Sequence, residues 1–225
     1  MPALDRYARF GLWALPVYGL ANLIGTLTSQ PDYHKNFPAY ARYVRTTEFR
    51  VSHLGASVLG TGIGLLGFTA LFVYLATRGR RPGVALAGFV LVLLGNVFVV
   101  AVFGVATLAQ PAIGQAYLAG HHDVVALNSS VYDNHVNVTA AVGILSFFVG
   151  VILFAVAIAR TASLPRWAGI LFAAAVPVFA IGSIMGNVLA QIGSVMEIGA
   201  AIWIARRGSE ASHVLDREPE LSGAA

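Results

Sequence analysis

The sequence predicts an all-α fold, a polytopic bundle of six transmembrane helices with five as the alternative. The chain of 225 residues is 57% hydrophobic and only 11% charged, whereas soluble domains carry about 25% charged residues. Apolar runs of membrane-spanning length recur along it, and arginines collect in the short connections between them. The composition predicts the lipid bilayer as the partner. The net charge of +4 does not indicate nucleic acid, since such arginines set orientation in a bilayer.

The first predicted helix covers residues 10–29, with Pro16 as a tolerated intramembrane proline. Tyr18, Asn22 and Thr26 are spaced four residues apart, so they share one helical face. Polar faces inside a membrane point into the bundle. The run lacks a cleavage site of small residues, so we expect the helix to be retained.

Residues 30–50 form a polar connection in which Arg42 and Arg45 are interleaved with aromatic residues. This composition is typical of a segment that lies at the lipid headgroups. A loop that gates a ligand is the alternative interpretation.

The second and third predicted helices cover residues 51–77 and 84–108, separated by a tight basic turn. Asn96 lies inside the third helix. Pro111 is predicted to end it, because proline lacks the backbone N–H that continues a helix.

The fourth predicted helix covers residues 135–159 and follows a long connection, 112–134, that contains no Lys or Arg. Residues 167–205 are almost uninterruptedly apolar. A single helix of that length would extend about 58 Å, nearly twice a bilayer core of about 30 Å. We therefore predict two short helices joined by a turn near residues 182–187.

The charge distribution favours six helices. With six, one side of the membrane holds ten Lys and Arg residues and the other holds four; with five, the count is seven on each side. The positive-inside rule therefore predicts a multi-pass protein of the cell membrane with both termini cytoplasmic. Residues 1–207 form the predicted bundle, and residues 208–225, which are polar and acidic, form a predicted disordered cytoplasmic tail.

A repeated sequence pattern raises the hypothesis of a parallel two-helix repeat. His53 and Arg78 are matched, 82 positions further on, by His135 and Arg160. A second, less regular match relates residues 95–97 to residues 186–188, which share the sequence Gly-Asn-Val. The sequence leaves open whether these matches are a duplication or chance similarity between sequences of low complexity.

His53 and His135 are candidate metal or haem ligands. In the predicted topology both lie at the same depth near the outer interface, where two imidazoles can ligate a haem iron and further ligands can hold copper or zinc. Cysteine is absent from the chain, and no metal-binding sequence motif is present. The alternative is that both histidines form hydrogen bonds with loop carbonyls.

Glu197 is an acidic residue within a predicted span, near mid-bilayer, and Gln191 lies on the same helix face. A carboxylate in hydrocarbon is costly, so it should be protonated or paired with Asn96, Asn22 or Tyr18. It could serve a proton relay, contact a polar ligand, or form a structural hydrogen bond that locks helices together.

These residues predict an outer-facing polar pocket that binds a small ligand: haem, a metal ion, or a lipid-like molecule such as a quinone. A membrane enzyme, with catalytic residues unknown, would use the same groups. The alternatives are a small transporter, for which a homo-oligomer could supply the pathway, and a structural accessory subunit of a membrane complex. The predicted ligand-binding residues are Tyr18, Asn22, Asn96, Gln191 and Glu197, and the predicted metal ligands are His53 and His135.

Overall fold

The computed structural model describes residues 2–222, with side chains described up to Glu210 except those of residues 2, 3 and 5. It is 84% helical, and no strand occurs among the described residues. The all-α prediction is confirmed. Five of the described helices are long and apolar enough to span a membrane: Thr47–Arg78, Pro82–Leu118, Val124–Ala159, Arg166–Met185 and Asn187–Glu210.

The first apolar run does not form one helix: α1 (Pro2–Gly11) ends two residues into it, and α2 (Ala14–Gly25) covers most of the rest. Pro16 has no N–H to donate to the carbonyl of Leu12, and that carbonyl accepts from the N–H of Leu15 at 3.1 Å instead. Neither piece is long enough to span a membrane by itself, which is why five spans are found where six were predicted. The predicted single helix over residues 10–29 is therefore wrong in its bounds.

The second predicted helix is present and begins with a π-helical segment. Two short helices, α3 (Phe37–Tyr43) and α4 (Thr47–Arg50), precede it. The π segment covers Val51–Leu59, and α5 continues it over Gly60–Arg78. Short π-helical stretches inside longer helices are frequent at functional sites.

The connection over residues 30–50 packs against protein through its aromatic side chains. Tyr40 and Phe49 are fully buried. They belong to a cluster that joins α3 and α4 to the last turns of the helix Pro82–Leu118, formed by Phe37, Tyr40, Ala41, Val44, Phe49 and Ile113. Sequence reasoning, which expected a segment lying at lipid headgroups, did not identify this cluster.

The third helix, α6, covers Pro82–Leu118 and passes through Pro111. The prediction that Pro111 ends it is wrong. A proline costs the helix one hydrogen bond and a local clash, and here the turn that follows it is buried against α3. Gly114, in that turn, lies so close to Val44 that a Cβ on the glycine would be 2.6 Å from the valine Cγ2.

The remaining helices are α7 (Val124–Val131), α8 (Asn134–Ala159), α9 (Arg166–Met185) and α10 (Asn187–Ser222). The predicted helix over residues 135–159 is confirmed as α8. The predicted turn within residues 182–187 is also confirmed, since only Gly186 separates α9 from α10. Residues 223–225 lie outside the described residues, and the disorder of residues 208–225 stays a prediction.

Six segments close into a ring. Going round it, α2 packs against α5, then α6, α8, α9 and α10 follow, and α10 packs back on α2. Phe68 sits at its centre, with its ring 5.6–5.9 Å from four other aromatic rings: Tyr18, Phe147, Phe154 and Phe172. We call the end of the ring that carries α3, α4, α7 and the α9–α10 turn the cap end.

The two halves of the proposed repeat agree at one landmark. Helix α5 ends at Arg78, and α8 ends directly before Arg160. At the second landmark the matched residues occupy different structural positions, because Asn96 lies in the middle of α6 whereas Gly186 forms the turn between α9 and α10. A duplication of the chain stays a prediction.

Candidate functional site

A cavity of about 200 Å³ lies at the cap end of the ring, between α2, the π segment, α6, α9 and the start of α10. Two aromatic side chains, Phe103 and Phe179, form part of its wall. Most of the other lining residues have polar side chains: Asn22, Thr26, Ser52, His53, Ser57, Ser183 and Asn187.

The π segment supplies three of these polar side chains. The hydroxyl of Ser57 donates to the carbonyl of Ser52, five residues earlier, at 2.9 Å. An i to i−5 relation is the repeat of a π-helix, so this side chain follows the widened turn. Ser52, His53 and Ser57 consequently line one cavity.

Two aromatic rings contact the imidazole of His53, and polar contacts anchor its Nδ1 atom. Its ring stacks on Phe49 at 4.1 Å and meets Phe103 edge-on at 5.8 Å. Nδ1 lies 3.2 Å from the Phe49 carbonyl oxygen and 2.8 Å from the Ser52 hydroxyl. A carbonyl only accepts, and the Ser52 hydroxyl itself donates to it at 3.0 Å. This arrangement favours the proton on Nδ1, which leaves Nε2 of the neutral ring as an acceptor.

Glu197 does not line this cavity but is connected to it through a hydrogen bond with the lining residue Asn22. Its side chain is only 3% exposed, and its Oε2 accepts a hydrogen bond from Nδ2 of Asn22 at 2.8 Å. The Tyr18 hydroxyl interacts with the same Asn22 side chain. The predicted pairing of Glu197 with a polar residue of the first apolar run is therefore present, and one amide connects the cavity lining to a buried carboxyl group.

Asn96 is not part of this group. It is buried, and its Nδ2 donates to the carbonyl of Val92 on its own helix at 2.9 Å. This bond keeps the Nδ2 group of Asn96 on its own helix and away from Glu197. The structure thus selects Asn22 among the predicted partners of Glu197.

Gln191 and Asn187 connect α10 to the end of α2. Gln191 Nε2 donates to the carbonyl of Thr26 at 3.1 Å, and Asn187 Nδ2 donates to the carbonyl of Thr28 at 3.0 Å. Carbonyls at a helix C-terminus lack partners within the helix. Both side chains therefore satisfy backbone groups, and Asn187 also lines the cavity.

His135 occupies a different environment from His53. Its side chain is 95% exposed at the start of α8, and its Nε2 lies 4.0 Å from Asp133 Oδ2. It is not among the residues that line the cavity. Within the described part of the chain, no group of three or more His, Asp or Glu side chains could hold a metal ion. The haem site with two histidine ligands stays a prediction.

The size of the cavity limits what it can hold. Pockets for drug-sized ligands and cofactors measure about 300–1,000 Å³, whereas this one has about 200 Å³. At about 30 Å³ per water molecule, that is room for roughly six waters or one small molecule. The volume suits a small polar ligand or the head of a longer one better than an enclosed haem.

Sequence reasoning missed part of the cavity wall. Phe103 and Phe179 lie in uniformly apolar stretches that give no sign of facing a cavity. Ser183 lies within the predicted turn, and that position was its only signal. Ser52 is adjacent to His53 but is not among the predicted ligand-binding residues.

A second buried polar cluster lies between α3, α6 and α7. The Tyr40 hydroxyl donates to Asn128 Oδ1 at 3.0 Å. Burial raises the pKa of Tyr40 well above its usual value, so this hydroxyl stays a donor. Among the described residues, Gln110 Oε1 and Asn128 Nδ2 are buried with no hydrogen-bond partner, which is typical of sites that hold internal water.

The fold and the cavity define a class: a helical, apolar bundle of the multi-pass membrane type, with a polar cavity at one end. No protein-family model matches the chain, and comparison with curated proteins and with solved structures gave no match. The functional inference therefore depends on the geometry of the site.

Proposed function

We propose that this protein is a multi-pass protein of the cell membrane that binds a small hydrogen-bonding ligand in the cap-end cavity. The observation that carries the proposal is the polar lining collected from four parts of the ring, connected through Asn22 to the buried Glu197. The charge distribution supports cytoplasmic termini, since ten Lys and Arg residues would lie on that side and four on the other. In that orientation the cavity opens to the outer side.

The chemistry of the lining favours a ligand with both donor and acceptor groups. Nε2 of His53 can accept a hydrogen bond, and the hydroxyls of Ser57 and Ser183 can accept one or redirect their own. Water or a ligand that fills the cavity would meet these groups with hydrogen bonds. The ring of a quinone or a head group of similar size would meet these groups.

Thiol labelling tests whether the cavity is open to water. The chain has no cysteine, so an introduced one is the only reactive thiol. Ser57→Cys places it in the cavity, and Leu66→Cys places it on the outer surface of α5, where the leucine is 66% exposed. A charged thiol reagent should modify Ser57→Cys at least tenfold faster, since thiolate forms only where water reaches. Equal rates would contradict a water-filled cavity.

Two matched histidine variants test ligand binding. Small molecules that co-purify with the wild-type protein are extracted and compared by mass spectrometry with those of His53→Ala and His135→Ala. The second is the control, because it removes the same side chain outside the cavity. We expect a bound compound to be lost only from His53→Ala. If both variants keep it, or both lose it, the cavity is not its site.

An absorption spectrum of the same samples tests the haem hypothesis. A Soret band that disappears in both variants would establish the paired-histidine haem site. A band lost only from His53→Ala would assign one axial ligand to the cavity.

A small transporter is the second candidate function, and the bond between Asn22 and Glu197 favours it. This contact places a carboxyl group one hydrogen bond from a cavity open at the cap end, an arrangement found in proton relays. Proteoliposomes that contain a pH-sensitive dye would report proton flux under an imposed potential. Flux that requires Glu197 and is lost in Glu197→Gln supports transport; flux equal to that of protein-free vesicles opposes it.

A further inference from the structure

A groove of about 530 Å³ lies at the cap end, separate from the cavity. Three arginines line it, Arg42, Arg45 and Arg50, and the other wall is the stretch of α6 around Leu108 and Pro111. We call it the arginine groove. We propose that it binds the phosphate of an anionic phospholipid from the surrounding bilayer.

The groove carries three positive charges, and no acidic side chain occurs among the described residues that line it. Arg42, Arg45 and Arg50 are exposed, and none of them forms an ion pair with a carboxylate in the described part of the chain. Two exposed cations elsewhere in the described part of the chain are paired with carboxylates, Lys35 with Asp32 at 3.5 Å and Arg207 with Glu210 at 3.1 Å. Like charges that converge on one groove repel each other, so an anion bound between them is favourable.

The position of the arginines is fixed by the residues between them. Val44 and Phe49 are fully buried in the aromatic cluster at the end of α6. Because these two side chains point inward, the neighbouring Arg45 and Arg50 are directed outward. A rigid backbone lowers the entropy cost of holding guanidinium groups around a ligand, and guanidinium matches phosphate through paired hydrogen bonds.

The opposite wall favours a lipid over a free anion. Leu108 is 79% exposed and lies in a helix that is long and apolar enough to cross a membrane. An acyl chain can lie along this wall while the phosphate of the same lipid meets the arginines that line the groove. The groove thus offers adjacent charged and apolar contacts, which suits an amphiphile.

The charge distribution along the chain supports a specific role for these residues. In the predicted orientation the outer side holds only four Lys and Arg residues, and three of them line this groove. Cations that set topology collect on the cytoplasmic side. Recognition of a ligand explains why three of the four outer cations lie at a single groove.

Native mass spectrometry of the full chain in detergent tests the proposal, with phosphatidylglycerol and phosphatidylcholine of identical acyl chains as probes. The groove variant carries Arg42→Gln, Arg45→Gln and Arg50→Gln. The control variant removes the same charge from exposed arginines at the opposite end and consists of Arg80→Gln, Arg81→Gln and Arg206→Gln.

We expect the wild-type protein and the control variant to retain phosphatidylglycerol in preference to phosphatidylcholine. Each arginine near a charged membrane surface contributes about fivefold to binding, so the groove variant should lose roughly a hundredfold in affinity for phosphatidylglycerol. A variant with lysine at all three positions keeps the charge and should recover part of this loss.

Three results would overturn the proposal. The first is a wild-type protein with no preference for phosphatidylglycerol, and the second is an equal loss in the groove and control variants. The third is displacement of the lipid by excess inorganic phosphate, which would identify a site for a free anion. Thermal melting verifies that each variant is folded, and Arg45→Gln replaces the triple variant if that one does not fold.

Discussion

The hydrogen bond between Asn22 and Glu197 should stabilise the bundle measurably. The bond is 2.8 Å long and Glu197 is only 3% exposed. Replacing Asn22 by leucine leaves the carboxyl group buried without its donor. Leaving a buried acceptor without its partner costs about 1–3 kcal/mol, so we expect Asn22→Leu to lower the free energy of unfolding by about 2 kcal/mol.

A double-mutant cycle of Asn22 and Glu197 separates the energy of this hydrogen bond from that of general packing. Glu197→Leu removes the carboxyl group, and the double variant removes both partners, which can be nearly neutral. The coupling energy of the cycle should reach about 1–1.7 kcal/mol, near the largest values measured between transmembrane helices, where the average is about 0.6 kcal/mol. Glu197→Gln, which can still accept from Asn22, should cost less than Glu197→Leu by about 1 kcal/mol.

Unfolding in mixed micelles with increasing SDS, followed by circular dichroism, measures the wild-type protein and these four variants. The control cycle pairs Asn22→Leu with Asn96→Leu, since Asn96 bonds within its own helix and should show no coupling. A coupling energy for Asn22 and Glu197 below about 0.3 kcal/mol, the error with which independent sites add, would refute the reasoning.

Three further predictions concern local structure. Gly182→Ala should destabilise the protein by 2 kcal/mol or more, on the order of a core overpacking, because its Cβ would collide with the backbone of α10; Gly62→Ala, where nothing lies within 4 Å, should stabilise it by about 0.5–1 kcal/mol, and SDS unfolding compares the two. Asp133→Ala should cost about 1 kcal/mol, because Asp133 Oδ1 accepts from the N–H of His135 at 2.8 Å at the start of α8; His135→Ala, which keeps that N–H, is the control, and equal losses would contradict the cap. The backbone N–H of His34 lowers the pKa of Asp32, so this contact contributes stability above the ordinary pKa of aspartate and loses it as pH falls through the lowered pKa; carboxyl NMR should show an Asp32 midpoint below that of an unfolded peptide.

Local rules recover the membrane-spanning class and several boundaries. The bounds of α8 follow from an apolar run of spanning length between polar connections, and the turn at Gly186 follows because one helix over residues 167–205 would be too long for a bilayer. The polar face with Gln191 and Glu197 also follows, since helical periodicity places these residues on one side of α10. Each of these inferences needs only residues close together in the chain.

The failures arise where distant contacts decide. Pro111 is a helix terminator by local rules, yet α6 continues because its last turns are buried against α3. Pro16, by contrast, lies in the first turn of α2, directly after the break between α1 and α2, whereas one continuous helix through this proline was expected. Propensity alone does not distinguish the two prolines, because burial of the following turn compensates the lost hydrogen bond in one case.

The sequence by itself determined that the chain is an apolar helical bundle and which faces of its helices are polar. Tertiary structure decided which of those faces meet: it selected Asn22 over Asn96 as the partner of Glu197. It also brought Phe103 and Phe179 to the wall that His53 shares, and left His135 exposed outside it. The physical reason is that periodicity fixes the direction of a side chain about its own helix, whereas the neighbour it meets depends on how all six segments close into a ring.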